Sequence, residues 1–270
     1  MRVGMWFYGL STVATGILNI VWGEFESSHQ PVNSLSQHIP GEHALAYFIG
    51  FWLVAAGLAI LWRRATLMGA IGCALIYLIF ALLWLPRYSA MTHQFGFHIG
   101  VVVFILGGIA QQLLLAAPAA IVYAAGGSPD PVWRERFAVT ARLLLGLSPI
   151  AFGLEHLSIT QAVARFVPHW IPFATFWTVL TGIAFLLAGS AIVSGIRDIL
   201  AVRLLVLMLF LFEAAVEIPP VFLQPHKQVA WGGAIYNLTA IGAYWMFAEF
   251  VASRPQPERR RTGIAEPSIA

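Results

Sequence analysis

The stretch from Arg142 to Pro220 contains, in order, RLLLGLSPIAFGLEHL (142–157), VPHWIP (167–172), TGIAFLLAGSAI (181–192) and FLFEAAVEIPP (210–220). It holds two long apolar runs with hardly a charge between them, and most of a third. Runs of this kind belong in hydrocarbon. A helix of ~20 apolar residues satisfies its own backbone where lipid offers no hydrogen-bond partner. Three of the four acids that fall inside apolar runs also lie here: Glu155, Glu213 and Glu217.

The composition of the whole chain agrees. Its 270 residues are 59% hydrophobic and 10% charged, with a mean hydropathy of +0.79. Soluble domains carry about 25% charged residues, so this chain is expected to dissolve in a bilayer. A single cysteine, Cys73, excludes an internal disulfide and reads as inert packing inside an apolar run. The basic residues are scattered between the apolar runs rather than massed. They read as topology signals, and no nucleic-acid partner is expected.

Eight apolar segments can be drawn, at roughly 3–22, 44–62, 67–85, 99–124, 137–157, 172–194, 199–218 and 231–251. The first lacks a small-x-small cleavage site at its end and is expected to be retained as a helix. With eight spans, twelve of the fifteen basic residues fall on the side of the N-terminus; only Arg87, Arg165 and Lys227 fall opposite. Basic residues near helix ends stay cytoplasmic, so both termini are expected there. The histidines sort the other way. His29, His38, His43, His93, His98, His156, His169 and His226 all fall on outer loops or outer helix ends. The plain alternative is that outer loops are simply longer and more polar. Trp22, Trp84, Trp133, Trp170 and Trp231 fall at segment ends and read as interface anchors.

An internal repeat runs through the segments. Gly9, Leu10, Ser11 and Gly16 match Gly146, Leu147, Ser148 and Gly153 at an offset of 137 (146 minus 9). Gly50 and Gly57 match Gly182 and Gly189 at 132, and Pro86, His93 and Gly100 match Pro219, His226 and Gly233 at 133. Glycines seven apart share a helix face and let helices approach closely in lipid. The expected fold is therefore all-α: a polytopic membrane protein of eight transmembrane helices, arranged as two parallel four-helix repeats. Residues 1–125 form the first repeat, 126–132 a cytoplasmic linker, and 133–252 the second. Residues 253–270, polar and rich in proline and arginine, are expected to be a disordered cytoplasmic tail.

Arg142, Gly146, Gly153 and His156, the VPHWIP turn and a third helix ending in VEIPP together resemble the DoxX-like membrane proteins. The resemblance covers the second half well and the first half faintly. It implies a bacterial cytoplasmic (inner) membrane protein built on a four-helix unit, some relatives being tied to quinone-coupled oxidation of sulfur compounds or to redox-protective complexes. A redox-protein partner beside the lipid bilayer is implied in the same way. The chain departs from relatives in its tandem fusion and in carrying Glu217 where some of them carry histidine.

The chemistry is expected at the outer mouth of the second repeat. Glu213 lies 15 residues beyond Asp198, ~22 Å along a helix, and Glu217 lies one turn further on the same face. Ionisable groups within a membrane are costly, and each is a candidate for function. Glu213 and His156 are the candidate catalytic residues; Glu155, Glu217, His169 and His226 are candidates for binding a cofactor. His and Glu suit a quinone, which takes up and releases protons, and they also suit a metal; the choice stays open. The competing readings are a proton-coupled small-solute transporter and a non-catalytic scaffold. Three further expectations concern polar residues elsewhere. Gln111 and Gln112 should bond between helices, Asn19 takes the place of His156 in a half kept for packing, and Arg142 should snorkel to the inner interface.

Overall fold

The computed structural model of the protein describes residues 1–34, 41–127 and 130–254. His38, residues 128–129 of the expected linker and the tail from residue 255 lie outside the described residues. Every regular element within them is helical.

Helices α1 (Arg2–Trp22), α2 (Glu42–Leu61), α3 (Thr66–Phe95) and α4 (Ile99–Val122) run up and down the bundle. So do α5 (Pro131–Ser158) and, after the short α6 (Thr160–Val163), α7 (Ala174–Ser194). Next, α8 (Asp198–Phe212), a π-helical turn at Glu213–Glu217 and α9 (Ile218–Leu223) form one continuous run. Among the described residues seven helical runs, from Arg2–Trp22 to Asp198–Leu223, are long and apolar enough to cross a membrane. Their outward residues suit lipid, with Leu82, Leu187, Leu211 and Met68 all exposed.

The eighth expected segment folds into α10 (Gln228–Ser253), as long as the others but not among the seven. The reason is its position. α10 packs along α1, α8 and α4, and its buried face is largely Ala, Gly, Thr, Tyr and Phe. Small and polar residues suit a helix that meets other helices, and they lower its hydropathy.

Close approach rests on paired glycines. Gly57 lies against the Gly9 carbonyl and Gly50 against that of Gly16, where added Cβ atoms would sit only 2.7 and 2.8 Å from the oxygens. Gly153 faces the Gly182 carbonyl and Gly189 that of Gly146 at 2.7 and 2.6 Å by the same measure. The glycines with matched spacing thus form the α1–α2 and α5–α7 crossings. The two halves of the chain also share long interfaces, α1 with α10 and α4 with α5.

Two expectations are corrected here. Arg142 does not reach the interface: it is 6% exposed. Its Nη2 donates to Asp198 at 2.8 Å and its Nη1 to the Ile192 carbonyl at 2.7 Å. The glycine-thinned crossing between α5 and α7 brings the Ile192 carbonyl within reach, and Asp198 meets the guanidinium from the first turn of α8. Trp84 is not an anchor at a helix end, because α3 continues through Pro86 to Phe95. Its ring is buried against Gly108 of α4, with the Arg87 guanidinium 4.5 Å above it.

Candidate functional site

The π-helical turn at Glu213–Glu217 breaks the regular ladder between α8 and α9. Such turns inside α-helices are rare and occur often at functional sites. Here a specific side chain accompanies it. Asn237 of α10 donates from Nδ2 to the Leu209 carbonyl at 3.0 Å and to the Glu213 carboxylate at 2.9 Å. The Glu213 side chain is thereby drawn inward, and the residue is 5% exposed. Four residues on, the Glu217 carboxylate folds over Gly233, one turn back along antiparallel α10. Both acids therefore face α10, at positions one turn apart along it. Above them α9 leaves Phe222 and Leu223 78% exposed, an apolar lip at the mouth of the turn.

The other expected residues do not join this pair. His156 turns toward α7: its Cβ lies beside Gly182, its ring meets Phe185 edge-on at 5.2 Å, and its Nδ1 lies 2.8 Å from the Phe152 carbonyl of its own helix. Glu155 turns the opposite way, over Gly107 of α4. His169 and His226 are exposed in the loops at this end of the bundle. Among the described residues no three His, Cys, Asp or Glu side chains are gathered as a metal site requires.

A second polar cluster lies in the loop between α1 and α2. Gly23 ends α1 in the left-handed conformation, φ 66°, its N–H bonding the Asn19 carbonyl. The chain then turns back into the bundle, burying Phe25, Glu26, Gln30 and Val32. Glu26, 2% exposed, accepts hydrogen bonds from the N–H groups of Ser28 (2.9 Å) and His29 (2.8 Å). His29 Nδ1 lies 2.6 Å from its carboxylate, and the ring stacks on Tyr236 of α10 with centroids 4.3 Å apart. Burial by itself pushes the Glu26 carboxyl upward. The His29 hydrogen bond and charge, together with the two backbone N–H groups, outweigh it and hold the group below its ordinary value of 4.5.

Gln112, near the middle of α4, donates to the His29 carbonyl at 2.6 Å. The expected interhelical bond of Gln112 is thus a helix-to-loop bond. A polar loop folded into the bundle needs such partners for the carbonyls that it buries. Around the loop lies a cavity of about 20 Å³, lined by Thr15, Glu26, His29, Gln30, Tyr77, Gln112 and Tyr236 among others. Asn19 is fully buried nearby on α1, with neither side-chain polar atom hydrogen-bonded.

The sequence carried two signals for this cluster. Glu26 and His29 form a Glu-x-x-His spacing between two apolar segments. The doublet Gly232-Gly233 marks a turn of α10 that two acids approach, Glu26 over Gly232 and Glu217 over Gly233. No protein-family model, curated protein or solved structure matches the chain.

Proposed function

We propose that this chain is a DoxX-like protein of the bacterial cytoplasmic membrane, eight spans in two parallel four-helix repeats with both termini in the cytoplasm. In this reading it is a redox-associated subunit that handles a quinone or small reductant at its outward end, beside a redox-protein partner. The observation that carries the reading is Glu213: a carboxylate buried at membrane depth in a π-helical turn, clamped by Asn237 and followed by Glu217 on the same side. A quinone oxygen accepts a proton on reduction and gives it up on oxidation, and the Glu213 carboxyl, held in place by the Asn237 amide, donates when protonated and accepts when ionised. The exposed Phe222 and Leu223 give an apolar ring a path from the lipid. Among the described residues no metal cluster competes for this role.

The second reading, proton-coupled transport of a small solute, needs polar groups along the whole path. Between Glu213 and the Arg142–Asp198 pair, α8 buries Val202, Leu205, Val206 and Leu209, which favours a site open to one side. Purification in mild detergent, followed by mass spectrometry of the lipid extract, tests the first reading. Wild type is expected to retain quinone, and Glu213→Gln to retain about tenfold less, the equivalent of ~1.4 kcal/mol. Quinone absent from wild type, or held equally by both, contradicts it.

A further inference from the structure

We propose that the loop between α1 and α2 is a proton-exchange site: His29, oriented by Glu26, passes protons between a water held by Tyr77, Tyr236 and Gln112 and the carboxylate of Glu217, and so to Glu213. This deepens the reading above and rests on Glu213 being the group that exchanges protons with the ligand.

Three observations carry it. The first is the cost of the loop. A plug made only for packing would be apolar, yet this one buries a carboxylate against an imidazole, groups that are expensive to desolvate. The second is the cavity. About 20 Å³ holds one water, which needs two to four polar partners. The Tyr77 hydroxyl, the Tyr236 hydroxyl and Gln112 Oε1 are buried with no hydrogen-bond partner, and all three residues line that cavity. Gln112 is 0% and Tyr77 3% exposed.

The third is continuity. His29 lies 2.6 Å from Glu26, Glu26 sits over Gly232 of α10, Glu217 sits over the adjacent Gly233, and Glu213 is bonded to Asn237 one turn further along the same helix. Gly232 and Gly233 make this geometry, since side chains there would displace Glu26 and Glu217 from the turn of α10 that they share.

The charged and titratable groups around the pair are few. His29 comes from the loop itself, Tyr77 and Arg87 from α3, Tyr236 from α10 and Glu217 from the π-helical turn. Arg87 donates to the Ser27 carbonyl at 3.3 Å and lies within range of Glu26. The lining residues of α1 and α4, Thr15, Leu18 and Gln112, are uncharged.

The step balances simply. Glu26 accepts the Nδ1–H and fixes the ring, which leaves Nε2 as the exchanging atom. Nε2 takes a proton from the bound water and releases it to Glu217, and the water is reprotonated from solvent. One N–H bond forms and breaks, one O–H bond of the water breaks and is restored by a solvent proton, the O–H bond of the Glu217 carboxyl forms, and nothing is oxidised.

The test is infrared spectroscopy of the full-length protein in lipid. The carboxyl band of Glu213 is identified by its loss in Glu213→Gln, and its exchange is timed after a jump into D₂O. The expected result is exchange at least tenfold slower in His29→Gln, with a smaller slowing in Glu26→Gln, which keeps an acceptor for the Ser28 and His29 N–H groups. The pH profile of the wild-type rate should flatten in His29→Gln. Wild-type rates in both variants overturn the proposal. So does the absence of any carboxyl band that is lost in Glu213→Gln. No quinone is added, so slow exchange in His29→Gln supports the relay even where wild type retains no quinone, and unchanged exchange sinks the relay while leaving the quinone reading to its own test.

Discussion

Arg142 shows how far a single side chain depends on its neighbours. Its position in the sequence suits a residue reaching for the interface. The structure instead gives it Asp198 and the Ile192 carbonyl, with its guanidinium 5.7 Å from the centre of the Phe247 ring. Removing one partner of a buried ion pair leaves an uncompensated charge, which costs about 3–5 kcal/mol. Arg142→Met should therefore lower stability by about that much, read from thermal or detergent-induced unfolding. Adding Asp198→Asn should restore part of the loss, because the orphaned charge is then gone. Equal stability of wild type and Arg142→Met would show the pair to be solvated. The acids carry a related lesson. Glu213 stood out in the sequence because it interrupts an apolar run, whereas Glu26 lies in a polar stretch whose weak signals, the spacing to His29 and the Gly232-Gly233 doublet, do not separate a buried acid from a solvated one.

At the scale of elements, the glycine spacing was the informative signal. Pairs seven apart in α1 and α5 meet pairs seven apart in α2 and α7, and each crossing puts backbone against backbone. A Cβ on Gly189 would lie 2.6 Å from the Gly146 carbonyl oxygen, a contact that only backbone movement relieves. Gly189→Ala should thus cost about 1–3 kcal/mol as an overpacking change. Gly72→Ala is the control. Its Cβ would meet only the Ala56 methyl at 3.3 Å and the Trp52 ring, so helix propensity should offset most of the strain. Comparing the two melting temperatures checks the crossing, and equal losses would contradict it. The π-helical turn was not legible in advance. It accompanies a contact from Asn237, 24 residues further along the chain, and helical periodicity says nothing about a partner on another helix.

For the molecule as a whole, composition and periodicity revealed the helices and the apolar exterior. They placed α10 among the spans by its length and mild hydropathy, without showing that it packs along α1, α8 and α4. The same gap hid the site, because α10 is where the acids of both halves converge. Glu26 reaches its Gly232, Glu217 its Gly233 and Glu213 its Asn237. The sequence draws attention to the second half, since only that half carries acids inside its apolar runs. The account's central claim is that a proton-exchanging ligand meets Glu213 at this convergence. Titration of a short-chain, water-soluble quinone against the protein in lipid nanodiscs, followed by tryptophan fluorescence, tests it most directly. Wild type should show saturable quenching, with affinity at least tenfold weaker in Glu213→Gln, ~1.4 kcal/mol or more. Quenching that never saturates, or saturates alike in both proteins, would contradict the account.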